Sequence, residues 1–183
     1  MVATMVSAVL EQFGSVDYAI NNAGIHIEDE PLTECSEETW QRVLAVNLTG
    51  IWRCMKAEIP VMIAGGGGAI VNTSSTLGRI ASATAPAYTA SKHGVIGLTK
   101  SAALAYGKEG IRVNTVLPGV IRTGMYAERV GDDPADEARF AQNIALGRIA
   151  EPEEVAATIL WLCSDSASFV NGAVINIDGG EDI

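Results

Sequence analysis

Cysteine is scarce and scattered. Cys35, Cys54 and Cys163 form neither a disulfide framework nor a paired metal-ligand spacing, so the expected setting is a reducing cytoplasm and no metal site is expected. Basic residues are outnumbered: 12 Lys and Arg against 22 Asp and Glu leave a net charge of −10. No basic stripe is present to neutralise phosphates, which argues against nucleic acid as a partner. The charge serves solubility instead. No apolar run reaches the ~18 residues of a membrane span, and the opening Met1-Val2-Ala3-Thr4-Met5 lacks the basic flank of a signal peptide. Internal repeats, low-complexity tails and linkers are absent. Also missing is a strand leading through a glycine-rich turn into a helix N-terminus, the arrangement that holds a pyrophosphate. The four glycines at 65–68 precede a strand rather than follow one, so they do not supply it.

What remains is one domain's worth of chain, 183 residues and 48% hydrophobic, enough to bury a core. Val2, Met5, Val6, Val9, Leu10 and Phe13 recur at three- and four-residue steps and predict a helix ending at Gly14. Residues 16–20 read as a short strand. Ser36 is placed to cap a long helix, with Glu37 and Glu38 in its first turn, running toward Pro60. Strands follow at 69–72, 112–117 and 173–177, and further helices at 86–106 and from 152 to about 163. Gly107 is placed to end the first of these and Pro118 to stop the middle strand. Residues 125–146 are polar and weakly periodic, a mobile or loosely helical insertion in which Asp132-Asp133-Pro134 reads as a solvated turn. Strands alternating with helices predict an α/β fold, a parallel sheet with helices on both faces.

The chemistry concentrates between Ser75 and Lys92. Pro86 suits the first turn of a helix, where its missing N–H costs nothing. Tyr88 and Lys92, four positions apart, then share one helix face. A phenol with a pKa of about 10 needs its phenolate stabilised by ~4 kcal/mol to act as a base at neutral pH. An ammonium one turn away has the right sign. Ser75 follows an apolar strand, and its hydroxyl can donate to an oxygen held near the phenol. His93, next to Lys92, projects about 100° away from it. His26 lies at a loop rim and reads as a surface histidine, the alternative being that it faces substrate, and Trp40, Trp52 and Trp161 read as packing in the core or at an interface.

Asn21-Asn22-Ala23-Gly24, Asn47 within Val46-Asn47-Leu48, Ser75, the Tyr88/Lys92 pair and Pro118-Gly119-Val120-Ile121-Arg122-Thr123 occur in that order. Together they resemble the short-chain dehydrogenase/reductase family, from about Asp17 to Gly180. The resemblance implies a partial Rossmann-like, doubly wound parallel sheet, about four strands of the family's seven. It also implies that 1–183 is a single, N-terminally truncated dinucleotide-binding and catalytic domain without the glycine-rich cofactor-binding portion. Tyr88 is then the general acid/base. Lys92 lowers the phenol's pKa and binds the nicotinamide ribose. Ser75 holds the substrate oxygen, with Ser74 the lesser candidate, and Asn47 holds a relay water. Asn21, Ala23 and Gly24 match residues against the adenosine portion, and Pro118, Gly119, Ile121 and Thr123 match those at the carboxamide and phosphates. The cofactor is NAD or NADP, bound weakly or not at all by this chain alone. The substrate is a small or cyclic alcohol or ketone. Homodimers or homotetramers are implied through the long helices, where Ala90, Gly94 and Gly97 permit a close approach of a partner or of the chain's own sheet. The competing expectation is a non-catalytic interaction protein, associating through an exposed strand edge left at residues 16–20.

Overall fold

A computed structural model describes residues 2–130 and 134–182. The order of elements is α1 (Val2–Phe13), β1 (Tyr18–Asn21), α2 (Glu37–Leu44), a π-turn (Ala45–Thr49), α3 (Gly50–Gly65), β2 (Gly68–Thr73), α4 (Pro86–Tyr106), β3 (Ile111–Pro118), α5 (Gly124–Val130), α6 (Pro134–Ala141), α7 (Pro152–Cys163) and β4 (Val174–Ile177). The four strands form one parallel sheet in the order β1-β2-β3-β4. This is the α/β, Rossmann-like fold expected from the alternation of periods.

Both sheet faces are covered. On one, Ala19, Ile70, Ile111 and Val113 pack against Ile51, Met55 and Met62 of α3 and Val95 and Ala102 of α4. On the other, Val71 and Val116 meet Leu162 and Cys163 of α7. Strands buried on both faces read as continuous apolar runs, which is why β2 and β3 were visible in the sequence. β1 stands at the edge of the sheet, and Tyr18 and Ile20 of it are exposed. No helix of the described residues is long and apolar enough to cross a membrane.

Several expectations are corrected. The first strand is Tyr18–Asn21, not 16–20. Ser36 does cap α2, its hydroxyl accepting from Thr39 N at 3.1 Å. The helix it starts does not stop at Pro60, which is carried inside α3; the chain leaves at Gly66, whose φ of 96° reverses it. Gly107 does end α4, which stops at Tyr106; it has φ −61° and opens a 3₁₀ turn, and the left-handed glycine that releases the chain into β3 is Gly110, φ 78°. Trp40, Trp52 and Trp161 are 39%, 45% and 41% exposed, so none is a core residue of the single chain. Within 125–146 the chain forms α5 and α6. Arg122 pairs with Glu137 at 2.8 Å and Glu151 at 3.0 Å, tying α6 to the start of α7. Asp132 and Asp133 lie outside the described residues.

Candidate active site

The site residues gather at the carboxyl ends of β1 to β3, where ligands sit in open parallel sheets. Pro86 takes the first turn of α4 and both reactive side chains point inward: Tyr88 is 8% exposed and Lys92 3%. The Lys92 ammonium lies 5.3 Å from the centre of the Tyr88 ring. It donates to the Thr73 carbonyl at 3.0 Å, at the end of β2. Burial pushes its pKa down to about 8, because the charged form loses its hydration. It is still mostly protonated at neutral pH.

Asn47 sits in the π-turn between α2 and α3 and is fully buried. Such turns widen a helix locally and recur at functional positions. Its amide holds Ile25 at both ends, accepting from the backbone N–H at 2.8 Å and donating to the carbonyl at 2.9 Å. It also donates to Ser91 Oγ at 3.3 Å, whose hydroxyl donates to the Tyr88 carbonyl. Gly24 completes the niche. A Cβ there would come to 3.4 Å from both Asn47 Oδ1 and Lys92 Nζ. Gly24, Asn47, Tyr88 and Lys92 are thus brought together from three separate stretches of chain.

Ser75 is extended and caps the 3₁₀ turn Thr76–Gly78, its Oγ accepting from Leu77 N at 3.2 Å. That contact leaves the hydroxyl proton available. Ser74, in contrast, is buried and donates to the Lys92 carbonyl at 2.8 Å, so its proton is already engaged in holding α4. Gly78 packs against both Ser74 Oγ and that carbonyl, too closely for any side chain.

Other residues named from the sequence lie away from this niche. The Asn21 side chain turns under the sheet, donating to Glu58 at 3.2 Å and Asn72 at 3.0 Å, and ties β1 to α3. Ala23 is exposed. Pro118 ends β3, Ile121 pairs with Ala150, and the Thr123 hydroxyl accepts from Tyr126 N at the start of α5. Gly119 packs against Asp178 and Glu181, leaving no room for a Cβ.

Two further residues join the site, His26, for which facing the substrate was the alternative reading, and Glu28, which was not legible. His26 is no rim histidine: its ring stacks on Tyr88, centroids 4.2 Å apart and 18° from parallel. Glu28 is buried, and its carboxylate accepts from the backbone N–H groups of Ala87 and Tyr88. No local pattern signals either contact, because their partners lie some 60 residues on. His93 is exposed, as expected, and faces the Thr89 carbonyl.

This architecture has relatives. The family described as enoyl-(acyl carrier protein) reductase matches residues 1–181. Short chain dehydrogenase/reductase astE of Aspergillus oryzae is 42% identical over 181 residues, covering 98% of this chain and 69% of that protein. Cyclohexanol dehydrogenase of Acinetobacter sp. is 45% identical over 174 residues, covering 95% of this chain and 67% of its own length. The solved ligand-free aldohexose dehydrogenase of Thermoplasma acidophilum superposes with a TM-score of 0.92 at 36% identity, over 98% of this chain and 73% of that one. Agreement of this extent, in sequence and in backbone, is membership: the chain belongs to the short-chain dehydrogenase/reductase family.

Proposed function

We propose that this chain carries the proton-transfer side of a nicotinamide-dependent alcohol/ketone oxidoreductase. One observation carries the proposal: a buried ammonium stands 5.3 Å from a buried phenol ring one turn earlier on the same helix. The Lys92 charge favours the Tyr88 phenolate. In reduction the Tyr88 hydroxyl gives its proton to the carbonyl oxygen; in oxidation the phenolate takes the proton of the alcohol. The Ser75 hydroxyl donates to the same oxygen. Asn47 fixes the backbone at Ile25 and, beside Lys92, offers polar atoms to a water that resupplies the proton.

The residues fit one end of a dinucleotide and not the other. The niche over Gly24, lined by Asn47 Oδ1 and Lys92 Nζ, suits the hydroxyls of a nicotinamide ribose. At Gly119 the neighbours are Cα and Cβ of Asp178 and one carboxylate oxygen of Glu181, which crowd the position, and the sequence holds no glycine-rich turn leading from a strand into a helix N-terminus. Losing two or three charged hydrogen bonds at a pyrophosphate weakens binding by ~3–9 kcal/mol. NAD or NADP is therefore bound weakly or not at all by this chain alone, and Asn21, Ala23, Pro118, Ile121 and Thr123 contribute only where a phosphate-binding segment is supplied. A nicotinamide ring, when bound, supplies hydride exchange with the substrate carbon. The similarity to cyclohexanol dehydrogenase supports a small or cyclic alcohol or ketone as substrate. The cytoplasm is the setting that free Cys35, Cys54 and Cys163 support. Self-association is supported by an apolar groove between α3 and α4, lined by Leu48, Trp52, Gly97 and Leu98. Gly94 also lines the groove and packs on Leu48 of its own chain.

The test is a pair of proteins. The chain alone, titrated with NAD and NADP and assayed on cyclohexanol, is expected to show little or no turnover. Fused behind a family glycine-rich cofactor-binding segment it is expected to turn over, and Tyr88→Phe in the fusion to lose at least about a hundredfold. A fusion that binds the cofactor tightly yet reduces no ketone would overturn the proposal. The open edge at β1 favours a second reading, an interaction protein. Concentration-dependent association abolished by Ile20→Lys, with an inactive fusion, would establish it.

A further inference from the structure

Glu28 is 3% exposed, in the connection between β1 and α2. Its carboxylate faces the first turn of α4, Oε2 accepting from Ala87 N at 3.2 Å and Oε1 from Tyr88 N. Ala85, at the helix boundary, offers no side-chain cap, and Pro86 has no N–H to give. Glu28 therefore does from 59 and 60 residues away what a local N-cap does for other helices. One of the two amides it holds belongs to Tyr88 itself. Two positions before it, His26 lays its ring against the Tyr88 ring. The root of this connection is fixed by Asn47, which grips Ile25.

We propose that Glu28 and His26 are positioning residues for Tyr88. The carboxylate fixes the backbone from which the phenol projects, and the imidazole fixes the plane of its ring. The importance of this for catalysis rests on the proton-transfer role given to Tyr88 above; the contacts themselves do not. A tyrosine on the first turn of a helix has only the frayed end of that helix to hold it. Here a second segment clamps it at both backbone and ring. Lys92 from α4 and His26, Glu28 and the Cys35 thiol from the connection are the titratable groups gathered around this turn.

The test reads Tyr88 directly and needs neither cofactor nor turnover. The full chain, labelled with tyrosine carrying ¹³C at the ζ carbon, gives signals for Tyr18, Tyr88, Tyr106 and Tyr126, and Tyr88→Phe assigns the one of interest. In His26→Ala we expect the Tyr88 titration midpoint to move by about half a pH unit or more and its signal to broaden, with the other three unchanged. His26→Phe, which keeps a flat ring, should restore the sharp signal. Glu28→Gln should move the Tyr88 signal alone, and Glu28→Asp should move it less. The proposal for His26 is overturned if His26→Ala leaves both midpoint and line width of Tyr88 as they were. The proposal for Glu28 is overturned if Glu28→Gln leaves Tyr88 unmoved, or if all four signals collapse together, which would mark a carboxylate that holds the fold rather than the residue. A chain whose fusion shows no turnover while Tyr88 still responds to His26 and Glu28 keeps this inference and loses the proposed function.

Discussion

Replacing Lys92 with Met separates two effects that the buried ammonium combines. The first is on the phenol. A unit charge about 5 Å away in an effective dielectric near 20 contributes roughly 3 kcal/mol, or about two pKa units. Partial solvation reduces this, so the appearance of phenolate at Tyr88 should shift upward by about one to two pH units in Lys92→Met. The quantity to compare is the onset of the phenolate carbon signal. The second effect is on stability. Burial holds Lys92 near 8 against an ordinary 10.5. Between those values the unfolded chain keeps its proton and the folded chain has released it, so wild-type stability rises with pH through that window. Below it the fold carries a penalty of about 3 kcal/mol. Methionine removes that penalty but loses the donation to the Thr73 carbonyl, worth about 1.5–3 kcal/mol. At pH 7 the two terms nearly cancel, so the variant should unfold in urea within about 2 kcal/mol of wild type. By pH 10 wild type should have gained on it. A phenol titration left unmoved in Lys92→Met would refute the electrostatic role, and a flat wild-type stability from pH 8 to 10 would refute the burial argument.

Four further perturbations are specific. Burial raises the pKa of Glu58 against the opposing hydrogen bond from Asn21, so wild-type stability falls as pH climbs through the unfolded carboxyl value of about 4.3; Glu58→Gln should be the more stable protein at pH 7, with the advantage gone near pH 4, as read by urea midpoints. Asn47→Ala deletes the bonds to Ile25 and Ser91 and should cost about 2–4 kcal/mol in the same measurement. Gly78→Ala, whose methyl would strike Ser74 Oγ and the Lys92 carbonyl, should cost about 1–3 kcal/mol, whereas Gly97→Ala, with open space around it, should be neutral or stabilising by up to about 1 kcal/mol.

Most of the fold was legible because each element is locally consistent. The apolar repeat of α1, the Ser36 cap, Pro86 at the first turn of α4 and the buried runs of β2 and β3 each agree with their final conformation. The misreadings share a cause in tertiary context. Pro60 is a breaker by local chemistry, yet α3 packs on the sheet through Ile59 and Met62 on either side of it, and the helix continues. The tryptophans read as core or interface by size, and only the core alternative fails, because the buried positions beside them are filled by Ile51, Met55 and Val43. At the site, the helical spacing of Tyr88 and Lys92 was readable because it is a local period. Asn47 drew notice by its place in a motif, and the π-turn that aims it did not. Glu28 was opaque, and His26 legible only as an alternative, because their contacts depend on which distant helix end the chain brings to them.

The bare flank of β1 ties two properties of the molecule to one contact. Any parallel backbone that aligned there would satisfy the unused amides and carbonyls of Tyr18 and Ile20. It would also run beside the niche at Gly24, three residues beyond the end of β1. Self-association through this edge and the proposed cofactor binding would therefore depend on the same strand. A substitution that blunts the flank for the sake of solubility would bear on both at once.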